Sequence, residues 1–343
     1  RGFSRIPSTG FRRRLRTELE DALDLFEERG WLDDPVSYHV PPEPLTRPEI
    51  ERRESWGRTF EHLVAPSTYE PHPGEPGGDR WRGYRRNRHL HAWLLRHDDR
   101  ARPWLVGVNG YRTGQPLIDI GAFRAMHLHH RLGLNVALAV SPLHGPRRLG
   151  RSGDRVLNAG AMNMIHTVAQ ATSDVRSLIA WLRAEQGASV VGLTGLSLGG
   201  NISAVVAGLE PELACVILGI PETDLVRGMR RQIEPLLPPF YEMWGLSFGS
   251  IERVTRVVSP LRFAPRVAPE RRAIYAGLVD RWVRPGNVRA LWDHWGRPPI
   301  CWYDGGHLSG LRDPRVTDFV DDTLRRTLLG STPRVRGGSP PDL

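Results

Sequence analysis

The sequence predicts an α/β protein built on a mostly parallel, doubly wound sheet. Three observations carry that expectation. From about residue 62 onward, short strand-like runs alternate with stretches of helical period, the pattern of repeated right-handed crossovers. The runs PWLVGV (103–108), LNVALAV (134–140), SVVGLT (189–194) and LACVILG (213–219) lack polar alternation, as strands covered on both faces do. Finally, 343 residues with 40% hydrophobic content can bury one large core, and no apolar run reaches the ~18–20 residues that span a bilayer.

Taken in order, residues 11–29 read as an amphipathic helix, with Phe11, Leu15, Leu19, Leu23 and Phe26 on one stripe and Gly30 as its stop. Arg12, Arg13, Arg14 and Arg16 come early and Glu27 and Glu28 late, against the helix dipole, so the stripe must dock on the body of the protein. Residues 33–50 and 65–79 are Pro- and Gly-rich connectors. Strands are expected near 62–69, 82–95, 103–108, 134–140, 189–194, 213–219, 273–279 and 299–303. Helices are expected at 117–131, 169–185, 200–209, 285–296 and 313–327. This divides the chain into an N-terminal helical extension (1–60), a core (61–220 and 259–329), an insertion (221–258) and a disordered tail (330–343).

Composition removes several function classes. The net charge of +9 suggests nucleic acid, yet all 47 basic residues are Arg, which a coding bias explains equally well. The densest patch, DRWRGYRRNRHLHAW (79–93), reads as a solvated strand face, and no nucleic-acid partner is expected. Without lysine there is no Walker A loop, no pyridoxal Schiff base and no lysine general base. Cys215 and Cys301 lie in apolar runs and read as free thiols; with no apolar leader at the N-terminus, a cytoplasmic location is expected. His127, His129 and His130 in AMHLHH do not share a helix face, so no metal is expected, nor any organic cofactor.

One stretch carries chemistry. In VVGLTGLSLGGNISAVVAG (190–208), Ser197 lies between Gly195 and Gly199 at a strand-to-helix junction. Chance alone yields roughly 0.2 G-x-S-x-G matches in a chain of this composition, so the motif needs support. Asp280 in GLVDRWVRPGN and His307 in WYDGGHLSG supply it, each placed after a late strand. Over roughly residues 60–328 the chain thereby resembles the α/β-hydrolase superfamily, whose order is Ser, acid, His.

The resemblance implies that Ser197 is a nucleophile, His307 its base and later the acid for the leaving group, and Asp280 the orienting carboxylate. Asp224, after the preceding strand, is the rival acid; Asp304 is too near His307 in sequence. The oxyanion would meet the N–H of Leu198 and, from the loop VNGYRTG, that of Tyr111, although Asn109-Gly110 stands where many relatives have His-Gly. Residues 221–258 fall where the superfamily inserts lids and are expected to form a small helical cap. Leu236, Leu237, Phe240, Tyr241, Met243, Trp244 and Phe248 would line its apolar pocket. Phe240, Tyr241, Trp244 and His144 are the candidate substrate contacts; His144, Arg147 and Arg148 could equally serve to fold their loop. The expected activity is serine hydrolysis of a small-molecule ester or acyl substrate, foremost an apolar carboxylic ester. The alternatives are acyl transfer, peptidase action, or a binding or scaffold role without turnover.

Overall fold

The computed structural model describes residues 8–98, 102–227 and 247–330. Among them runs a nine-stranded sheet, ordered β1-β2-β3-β5-β4-β6-β7-β8-β9. Its strands are β1 (Glu49–Ser55), β2 (Arg58–Pro66), β3 (His89–Leu95), β4 (Trp104–Val108), β5 (Asn135–Val140), β6 (Val191–Leu196), β7 (Cys215–Gly219), β8 (Arg272–Gly277) and β9 (Ile300–Tyr303). From β5 to β9 every pairing is parallel, and β1, β2 and β3 extend the sheet antiparallel. The central strands β4, β5, β6 and β7 are buried along their whole length, which explains their unbroken apolar runs.

Crossovers run through α3 (Pro116–Ala122), α4 (Ala125–His130), α5 (Ala161–Gln186), α6 (Leu198–Leu209), α7 (Phe248–Val254) and α8 (Pro285–His294), and α9 (Pro314–Leu328) follows the last strand. Before the core, α1 (Thr9–Glu28) packs on α5 and α7 through Leu19, Ala22 and Phe26. Phe26, Trp31 and Tyr38 meet with ring centroids 5.2–5.6 Å apart. Burying a Phe contributes about 2–3 kcal/mol, enough to hold a helix whose terminal charges oppose its dipole.

Several expectations are corrected. The boundary at residue 60 cuts a hairpin: β1 belongs to the sheet, joined to β2 through Trp56 (φ 52°) and Gly57 (φ 68°). Only Ile50 is apolar in EIERRES, because this is a charged, exposed edge strand rather than half of a core. The strand expected at 82–95 begins at His89. Before it lie α2 (Gly78–Arg82) and a single turn at Arg85–Arg88, where Trp81 and Asn87 are buried, so the arginine-rich patch is no strand face. The helix expected at 117–131 is broken at Arg124 (φ 52°). Conversely, α5 starts eight residues before 169, since Asn163, His166 and Thr167 are polar yet fully buried and hid the pattern.

Of the expected cap, the described part includes α7, which docks against α1 with Phe248 partly buried on the core. Leu236, Leu237, Phe240, Tyr241, Met243 and Trp244 lie outside the described residues. Cys215 is buried and Cys301 half-buried, both as free thiols. No helix among the described residues is long and apolar enough to cross a membrane.

Candidate active site

Ser197 follows the last residue of β6 and precedes the first of α6, with φ 55° and ψ −111°. That conformation is strained for a residue with a Cβ and persists only where the surroundings enforce it. Here they do. Ser197 N–H bonds the Gly219 carbonyl at 2.9 Å, and the Ser197 carbonyl accepts from Asn201 N–H at 3.1 Å and Glu222 N–H at 3.2 Å. A Cβ on Gly195 would strike the Gly199 carbonyl, and one on Gly199 would strike the Val108 carbonyl. The two glycines are therefore required by the close passage of β4, β6 and α6.

His307, four residues past β9, places Nε2 3.1 Å from Ser197 Oγ. Its Nδ1 stands 2.7 Å from Asp280 Oδ2. An ionised carboxylate only accepts, so Nδ1 carries the hydrogen and the neutral ring's Nε2 accepts from the serine hydroxyl. Asp280 is itself held by its turn: Oδ1 accepts Trp282 N–H at 2.8 Å and Val283 N–H at 3.1 Å. The same turn lays the Trp282 ring beside His307, centroids 6.1 Å apart and planes 24° from parallel.

The rival acids are engaged elsewhere. Asp224 Oδ1 accepts Arg227 N–H at 2.7 Å, and Asp304 pairs with Arg315 at 3.1 Å. Leu198 opens α6, so its N–H has no acceptor within the helix. Across from it, Gly110 packs on the elbow so closely that a Cβ there would lie 3.2 Å from the Leu196 carbonyl and 3.7 Å from Ser197 Cβ. Tyr111 N–H follows, without a hydrogen-bond acceptor among the described residues. Buried Asn109 braces this loop, accepting Ser141 N–H at 2.7 Å and donating to the Gly110 carbonyl at 2.9 Å and Thr113 Oγ1 at 3.2 Å. Beneath, Asp119 accepts Gly114 N–H at 3.0 Å, and burial lifts its carboxyl to about 6.

His144 does not stand in an open pocket. It is fully buried, Nδ1 donates to the Pro142 carbonyl at 2.8 Å, and burial lowers it to about 4, so the ring is neutral. Arg147 is equally buried, donating to Asp174 at 2.7 Å and to the Asn87 carbonyl at 2.9 Å. The loop after β5 is thus folded by these side chains, and His144 offers a substrate no surface. His127 bonds Asp321 at 2.7 Å and His129 the Leu134 carbonyl at 3.0 Å, each occupied within its own packing.

Asn109 as a brace and Trp282 as a neighbour of His307 escaped sequence reasoning. The departure from His-Gly marked the first position, and the aromatic two residues after Asp280 marked the second.

No family model matches the chain. It is 39% identical over 327 residues to the uncharacterized protein MT2702 of Mycobacterium tuberculosis (strain CDC 1551 / Oshkosh), covering 94% of this chain and 78% of that one. Rv2627c of Mycobacterium tuberculosis (strain ATCC 25618 / H37Rv), also an uncharacterized protein, is 38% identical over the same share of each. Among solved structures, the acetyl xylan esterase of Paenibacillus sp. R4 superposes with TM-score 0.56 at 14% identity, covering 95% of this chain and 99% of that one. The chain belongs to one family with these mycobacterial proteins. Acetyl xylan esterase 1 of Thermoanaerobacterium sp. JW/SL YS485 likewise superposes, with TM-score 0.53 and 18% identity over 88% of this chain and 93% of that one. At such identities the likeness speaks for the α/β-hydrolase fold alone.

Proposed function

We propose that this protein cleaves carboxylic esters through an acyl-enzyme on Ser197. The observation that carries the reading is the unbroken hydrogen-bonded chain from Ser197 Oγ through His307 to Asp280, at 3.1 and 2.7 Å. Ser197 Oγ attacks the ester carbonyl carbon while His307 Nε2 takes its proton. Charge gathers on the carbonyl oxygen, where the N–H of Leu198, at the N-terminus of α6, and that of Tyr111, in the loop after β4, are offered as donors. The resulting imidazolium is stabilised by Asp280, and its Nε2 proton passes to the departing alkoxide. Water, deprotonated by the same nitrogen, then attacks the acyl carbon; the bond to Ser197 Oγ breaks, His307 returns the proton to Oγ, and the acid leaves. Apolar esters are the expected class, because the Trp282 ring lies beside His307 and Leu308, its neighbour in sequence, is exposed.

Labelling with a fluorophosphonate probe tests this. Wild type should label, and Ser197→Ala should lose both the label and ester turnover, the latter by about 10⁴–10⁶-fold. A folded wild-type protein that never labels would leave the fold in a non-catalytic role.

A further inference from the structure

Among the described residues, four of the exposed large apolar side chains crowd the two loops beside His307. These are Leu278 (42% exposed), Val279 (65%), Trp282 (59%) and Leu308 (67%). The loops are stitched together: Leu278 N–H bonds the Tyr303 carbonyl at 3.0 Å, and Val279 N–H the Gly305 carbonyl at 3.2 Å. Single exposed apolar residues are ordinary on protein surfaces, whereas a group on adjoining loops marks an interaction site. Arg281, Arg284 and Arg312 stand exposed in the same loops. None has a carboxylate partner among the described residues, and the local acids Asp304 and Asp313 are both taken by Arg315.

The mixture selects a partner. A second copy meeting this rim face to face would set three arginines against three. Nucleic acid would satisfy the arginines and leave Leu278, Val279 and Leu308 unmatched. An anionic lipid surface satisfies both sets: aliphatic tips and the amphipathic indole enter the headgroup boundary, and guanidinium groups meet phosphates.

We propose that Leu278, Val279, Trp282 and Leu308, with Arg281, Arg284 and Arg312, dock the protein on an anionic lipid surface with the His307 side facing it. On the hydrolase reading above, the ester would then be drawn from that surface; the docking itself stands apart from catalysis.

The test is co-sedimentation of the full chain with vesicles of phosphatidylcholine alone or mixed with phosphatidylglycerol. Wild type and Ser197→Ala should bind the mixed vesicles alike, at least about tenfold more tightly than neutral ones, and the preference should shrink with salt. Val279→Glu with Leu308→Glu, and separately Arg281→Glu with Arg284→Glu, should each weaken that binding by about tenfold or more while circular dichroism stays native. Three results would overturn the proposal: no binding to the mixed vesicles, binding untouched in both folded double variants, or a dimer in sedimentation equilibrium that the Val279/Leu308 variant dissolves. Because Ser197→Ala is expected to bind, failure of docking and failure of the hydrolase reading are separable.

Discussion

Asp280 meets His307 across 27 residues of sequence, Oδ2 standing 2.7 Å from Nδ1, while its other oxygen is held by two backbone N–H groups of its own turn. Asp224 is turned toward Arg227 instead. Asp280→Asn should therefore lower kcat by roughly 10³–10⁴ with the fold retained, since the amide no longer fixes the imidazole tautomer. Asp224→Asn should change kcat far less. Steady-state kinetics on a chromogenic ester decides between them, and a reversed order would move the acid to the earlier strand.

Gly199→Ala would drive a methyl group into the Val108 carbonyl, backbone against backbone, with no flexible side chain to yield. Urea denaturation should show a loss of about 3 kcal/mol or more, the scale of a change with a steric cause in a packed interior. Gly286→Ala, where nothing lies within 4 Å of the added methyl, serves as the control and should be nearly neutral.

Asn109→Ala removes the acceptor for Ser141 N–H and two donations into the loop that carries Tyr111. Leaving a buried donor unsatisfied costs about 1–3 kcal/mol of stability. If Tyr111 N–H stabilises the oxyanion, kcat should fall by about 10–10³-fold with KM little changed, because that contact strengthens only in the transition state. A loss confined to stability would assign Asn109 to folding alone.

Glu75 gives a pH signature. It is 5% exposed, accepts from Tyr38 Oη at 2.7 Å and from His72 N–H at 2.9 Å, and burial raises it from 4.5 to about 7. Between those values the folded chain keeps a proton that the unfolded chain has released, so this group withdraws stability as pH rises through that window and adds no further change above it. Glu75→Gln mimics the protonated form. The variant should gain on wild type by on the order of 3 kcal/mol between pH 4.5 and pH 8, read from paired urea melts. A gap that stays constant with pH would show that Glu75 is ionised or neutral alike in both states.

Sequence by itself determined the parts whose causes are local. The steric demand of an elbow writes itself as small residues on either side of Ser197, and strands buried on both faces write themselves as LNVALAV or LACVILG. The order Ser197, Asp280, His307 was legible for the same reason, each at the end of a readable strand. What only tertiary structure decided were partners and burial. β1 is a strand because β2 hydrogen-bonds it, not because EIERRES has a buried face. The polar start of α5 is helical because Asn163 and His166 find acceptors and donors in distant loops, while Thr167 donates to the Asn163 carbonyl within the helix. His144 lies sealed in its loop while Trp282 stands open beside His307, a reversal of what their polarity suggests. Such outcomes depend on which atoms arrive within about 3 Å from elsewhere in the chain, and periodicity holds no record of that.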